Sequence, residues 1–110
     1  MHAIADDVQA CIETCLHCYR TCLGMTSHHC LPAGGRHVEP EHVRLMLACA
    51  EVCRTAAHVM ELGLPEHRHV CRACAELCES CARSCEAVGD MQDCVAQCRA
   101  CAESCRRMAA

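Results

Sequence analysis

The sequence predicts an all-α protein, an antiparallel up-down-up-down four-helix bundle with a cysteine-lined core. Three observations carry this expectation. The chain of 110 residues holds 16 cysteines, and most follow alternating steps of four and three: Cys11, Cys15, Cys18 and Cys22; Cys49 and Cys53; Cys71, Cys74, Cys78, Cys81 and Cys85; Cys94, Cys98, Cys101 and Cys105. That alternation is the rhythm of core positions on a bundled helix, so each set falls on one narrow stripe. Most of the glycines and all the prolines stand in the connections between the stripes, where they punctuate the helices. Four helices of about 20 residues joined by short connections then suit an up-down bundle.

The first helix is expected from about Ala3 to His28, with Asp6 and Asp7 at its electropositive N-terminal end. A loop rich in glycine and proline, CLPAGGRHVE, follows it. The second starts at Pro40, whose missing N–H costs nothing in the first turn, and ends near Gly63. By the same logic the third starts at Pro65 and ends near Gly89. Asp90 is the expected N-cap of the fourth, with Asp93 in its first turn, and that helix runs to the C-terminus. Residues 1–110 form a single domain on this reading.

Composition narrows the function. Hydrophobic residues make up 53% of the chain, but that figure counts the cysteines, and Tyr19 is the sole aromatic side chain among Phe, Trp and Tyr. A core so poor in rings needs support from bound metal or from oligomerisation. The net charge is −4, with acidic and basic residues interspersed. No basic patch suits nucleic acid and no polybasic run suits an anionic membrane. No stretch approaches the ~20 apolar residues of a membrane span. The N-terminal MHAIADDVQA lacks the basic start and apolar run of a signal peptide. The expected location is therefore the cytoplasm, where thiols stay reduced and dense cysteine points to metal rather than disulfides.

An internal repeat relates the helices. PEHVRLMLACAEVC (40–53) overlays PEHRHVCRACAELC (65–78), so that His42 matches His67, Cys49 matches Cys74 and Cys53 matches Cys78. Met46, Ala56 and Met60 stand where the third helix has Cys71, Cys81 and Cys85. The second helix is a thiol-poor version of the third, with two replacements that remain soft thioether ligands. CRACAELCESC (71–81) is echoed again in CRACAESCRRM (98–108).

The stripes continue past the thiols. In antiparallel packing the C-terminal ends of helices one and three meet the N-terminal ends of two and four. That end gathers Met25, His29, His42, Met46, Cys85 and Met91, with Cys30, His28 and His37 nearby. The opposite end has Ile4, Val8, Met60, Leu64, His67 and Met108 and is poorer in ligands. Cys30 reads as an uptake ligand or a free thiol, whereas His2, His17, His58 and His69 lie off the stripes and read as surface groups. Ile12, Leu16, Tyr19, Leu23, Val52, Val59 and Leu77 close gaps between helices or form an oligomer surface.

Electrostatics selects the metal. A core of ionised thiols would carry a large uncompensated charge in low dielectric. The thiols must stay protonated or exchange each proton for a cation. A monovalent soft cation cancels thiolate one for one, and Cu(I) prefers thiolate and thioether ligands. With two sulfurs per copper and two coppers per sulfur, capacity is roughly one ion per cysteine. Zinc in closed four-thiolate sites is a rival. So is an iron–sulfur redox protein, since CIETCLHC, CAELCESC and CVAQCRAC share the spacing C-x-x-x-C-x-x-C.

On the runs at 11–22, 71–85 and 94–105 and the sparser pair Cys49 and Cys53, the sequence resembles the bacterial four-helix-bundle copper storage proteins. It is most similar to their cytosolic branch, over nearly the whole chain. The resemblance implies Cu(I) clusters lining the bundle, His and Met at an open end where metal is taken up, and homotetramers of bundles. The candidate ligands are all sixteen cysteines, Cys30 included, together with Met25, His29, His42, Met46 and Met91. The partners are then copper ions, delivered or collected by copper chaperones or chelators, and the chain is a store rather than an enzyme. Its thiol-poor second helix departs from the family pattern.

Overall fold

The structure is a computed structural model that describes residues 4–110, so His2 and the expected helix start at Ala3 lie outside the described residues. Four long helices form the bundle: α1, Asp6–Met25; α2, Pro40–Leu62; α3, His67–Val88; and α4, Gln92–Ala109. Helix α1 packs against α2 and α4, and α3 packs against the same two, so α1 and α3 face each other across the bundle. The molecule measures 49 × 24 × 19 Å, a tube little wider than two helix diameters.

Three boundaries differ from the sequence expectation. The stretch after α1 is not an open loop. It continues as a π-helical turn over Thr26–Cys30, marked by the Leu31 N–H donating to the Thr26 carbonyl, and then as a helical turn over Leu31–Ala33. Gly34, at φ 68°, ends this run, and a 3₁₀ turn over Gly35–Val38 leads to α2. Pro32 can sit in the extension because it stands in the first turn of the Leu31–Ala33 segment. Helix α3 begins at His67 rather than Pro65, because the bonds from His67, Arg68 and His69 N–H to Leu64, Pro65 and Glu66 form a tighter lead-in turn.

Asp90 does not cap α4. It adopts φ 54°, and Met91 occupies the cap position with no side-chain capping bond. The connection after Gly89 needs a left-handed residue before the helix can start, and aspartate tolerates that conformation better than most side chains.

The thiols take the core positions, and all sixteen cysteines are fully buried. Ala50, Ala56, Ala57, Ala75, Ala82 and Ala102 are buried between helices, where small side chains let the backbones approach. Ile12 joins the core, Tyr19, Val52, Val59 and Leu77 are half-buried, and Leu16 and Leu23 face outward at 41% exposure each. Outside the core, Arg99 of α4 grips Glu86 of α3 through two bonds of 2.8 and 3.0 Å.

Candidate metal centre

The four-and-three spacing points each stripe at the bundle axis, and the thiols meet there in an unbroken file. It runs Cys11–Cys105–Cys15–Cys101–Cys53–Cys78–Cys49–Cys98–Cys22–Cys18, with successive sulfurs 3.5 to 4.0 Å apart. Cys74 branches from it, 3.7 Å from Cys53 and 3.8 Å from Cys78. These cysteines are all free thiols.

Their grouping limits the chemistry. Four sets of four thiols have all members within 4.8 Å of one another: Cys15, Cys74, Cys101, Cys105; Cys18, Cys49, Cys53, Cys78; Cys18, Cys22, Cys49, Cys98; and Cys53, Cys74, Cys78, Cys101. The sets overlap, with Cys18, Cys49, Cys53, Cys74, Cys78 and Cys101 each in two of them. Closed four-thiolate sites that share no sulfur could occupy at most two of these sets at once, leaving half of the sixteen thiols unused. Shared sulfurs suit ions joined by bridging thiolates.

The proton distribution is collective. The hydrogen bond with Cys18, reinforced by burial, holds the Cys22 thiol above its usual range, and the bond with Cys101 does the same at Cys53. Cys101 shifts downward in turn, chiefly through Cys105. A donating thiol keeps its proton while its acceptor is favoured as thiolate.

Two sulfur islands extend the file at one end. The Met46 thioether accepts contacts of 3.5 Å from both Cys81 and Cys85. Beyond it, Cys30 lies 3.6 Å from His42 Nε2 and 3.8 Å from Met91 Sδ. The π-helical turn makes the second island possible, since its extra residue per turn re-aims Cys30 into the bundle although it lies off the α1 stripe. Burial pushes the Cys30 thiol up, and the nearby Cys85 adds to that shift. Burial lowers the pKa of His42 and favours the neutral ring, while its Nδ1 makes a 2.8 Å hydrogen bond with Ser84 Oγ. With the proton on Nδ1, the Nε2 lone pair faces Cys30.

The structure thus brings His42, Met46 and Met91 to the thiols as the sequence expects. Met25 is half-buried and lines a surface groove between α1 and α4 with His17, Thr21 and Gln97. His29 stands against His37 and Asp90. The far end is mostly apolar, with Ile4, Val8, Met60 and Leu64 lining a shallow surface recess beside His67. Ser84 escapes sequence reasoning because a serine beside a cysteine stripe carries no signal of its own, and the π turn has no spacing that announces it.

The sequence profile of the copper storage proteins matches residues 2–110. This chain belongs to the copper storage protein family. A cysteine-rich protein of Bacillus subtilis, YhjQ, is 35% identical over 81 residues, covering 74% of this chain and 68% of that protein. The fold matches a crystal structure of a Nitrosospira multiformis protein with a TM-score of 0.91 and 54% identity, covering 94% of each chain. It also matches the Cu(I)-bound copper storage protein BsCsp3, with a TM-score of 0.87 and 34% identity over 96% of this chain and 100% of that one. Family membership and the overlapping thiol sets agree on a many-ion core.

Proposed function

We propose that this protein stores Cu(I), roughly one ion per cysteine, as thiolate-bridged clusters filling the bundle. The observation that carries the reading is the sharing of thiols between adjacent four-sulfur sets. Each incoming Cu(I) displaces about one proton, so the core stays near neutral whether empty or full. The helices need not separate to accept metal, because the sulfurs already stand within 3.5 to 4.0 Å of each other.

The likeness to a Cu(I)-bound copper storage protein supports the choice of ion. Copper is taken up at the end where His42, Met91 and Cys30 meet, passes Met46, and is held deeper by cysteine alone. The opposite end is mostly apolar and poorer in ligands. The chemistry is ligand exchange, so the protein acts as a store for detoxification, supply or both, and not as an enzyme. We place it in the cytoplasm as one storage domain spanning 1–110, assembled as a homotetramer, with copper chaperones or chelators as its exchange partners. No helix among the described residues is long and apolar enough to cross a membrane. The outward Leu16 and Leu23 offer apolar surface for the assembly.

Reduced protein titrated anaerobically with Cu(I) against a coloured chelator should withhold many equivalents from the chelator. Retention of only one or two would exclude storage, and iron or zinc in stoichiometric amounts in freshly isolated protein would favour a different metalloprotein.

A further inference from the structure

One cluster of ligating side chains lies outside the sulfur core. His29, at the end of the π turn, and His37, in the 3₁₀ turn, come from the connection between α1 and α2. Asp90 comes from the connection between α3 and α4. One ligand atom from each lies within 4.8 Å of the others. His29 Nε2 is 3.6 Å from Asp90 Oδ2, which is ion-pair distance but too long for a hydrogen bond.

Two further observations point to a ligand. The Nε2 atoms of both His29 and His37 are buried without a hydrogen-bond partner. A shielded polar nitrogen left unpaired is costly unless something else satisfies it. Asp90 holds its carboxylate there from a left-handed backbone, at φ 54°, that side chains other than glycine seldom adopt.

The geometry points to a metal site in which His29, His37 and Asp90 bind one divalent first-row cation of the zinc class, separate from the Cu(I) core. Two imidazoles bound tetrahedrally with metal–nitrogen distances of ~2.0–2.1 Å place their ring centres ~5 Å apart. The rings of His29 and His37 are 5.0 Å apart at an interplanar angle of 87°. Closing the carboxylate onto the metal requires a shift of roughly an ångström, and Asp90, at 79% exposure, has room for it.

The donor set separates this site from its surroundings. Two nitrogens and an oxygen with no sulfur suit zinc and its divalent neighbours, whereas Cu(I) finds thiolate and thioether a few residues away at Cys30 and Met91. An ion here also joins the two connections at the end of the bundle where Cys30, His42 and Met91 meet.

The test uses protein first saturated with Cu(I) under anaerobic conditions, its copper content measured in the same sample. Zinc is then titrated by calorimetry. One equivalent should bind, and His37→Gln and Asp90→Gly should each weaken it by about tenfold or more with the copper count unchanged. Glycine at 90 also relaxes the left-handed backbone, so loss of binding there does not come from misfolding. Cobalt in place of zinc should give ligand-field bands without a thiolate charge-transfer band. Zinc binding that is absent, indifferent to both substitutions or accompanied by release of copper overturns the site, as does a cobalt–thiolate band. A sample that fails to load copper refutes storage instead; zinc in excess of the thiols should then still shift the ring resonances of His29 and His37, and unshifted rings overturn the rim site.

Discussion

Cys53 on α2 and Cys78 on α3 place their sulfurs 3.6 Å apart, and both belong to the same two four-thiol sets. A sulfur shared in this way bridges ions, so its loss is felt by more than one of them. Cys53→Ser should remove about two copper equivalents, one for each set it joins. Cys71→Ser, outside these sets, should remove about one. Competitive anaerobic titration of the two variants checks this, and equal losses would count against bridging.

Met46 touches both Cys81 and Cys85 through its thioether, between the uptake end and the all-cysteine file. Met46→Leu preserves side-chain volume and should cost less than about 1.5 kcal/mol of stability. It removes a soft ligand from the path, so copper uptake from a chelator should slow severalfold while final capacity falls by no more than about one ion. Stopped-flow measurement of chelator release reads the rate directly. An unchanged rate places the path elsewhere.

His42 gives the metal-free protein a pH dependence of defined sign. Burial lowers its folded pKa below the usual histidine value. Above about pH 6.5 the ring is neutral in both folded and unfolded states, and its contribution is intact. As pH falls below that value the unfolded chain takes up the proton more readily, and stability declines until the folded ring also titrates. His42→Gln should flatten this acid slope in denaturant-unfolding midpoints measured from pH 7 to pH 5. Ser84→Ala, which removes the 2.8 Å bond to Nδ1, should leave the slope and slow copper uptake by freeing the ring to turn. A slope unaltered in His42→Gln assigns it to another group.

Met60 is buried at the apolar end. Met60→Ala should destabilise the metal-free protein by about 2–5 kcal/mol through the cavity it leaves. Copper capacity should not change, because no thiol contacts converge there. Thermal unfolding and copper titration of one preparation separate the two effects. A lost equivalent would make the apolar end a second binding region.

The bundle and the sulfur file were legible because both follow from side-chain periodicity. Steps of four and three fix which face each cysteine takes, and antiparallel order then brings His42, Met46, Met91 and Cys85 to one end. What escaped depends on backbone detail with no periodic signature. The π turn over Thr26–Cys30 carries Cys30 inward and leaves His29 against His37 and Asp90. Asp90 looked like a helix cap because aspartate before a helix usually is one, yet the turn at Gly89 needed it one residue early, in a left-handed conformation. Met25 continues the α1 stripe by spacing and, at the last residue before the π turn, packs against the edge of the core while also lining the surface groove.

The most direct test of a bridged copper core is anomalous diffraction at the copper edge from crystals of the loaded protein. The account predicts a column of closely spaced copper peaks along the bundle axis, from Cys11 past Cys53 and Cys78 to Cys85, with individual sulfurs ligating two ions. Isolated metal peaks that share no cysteine, or copper confined to the surface histidines, would contradict it.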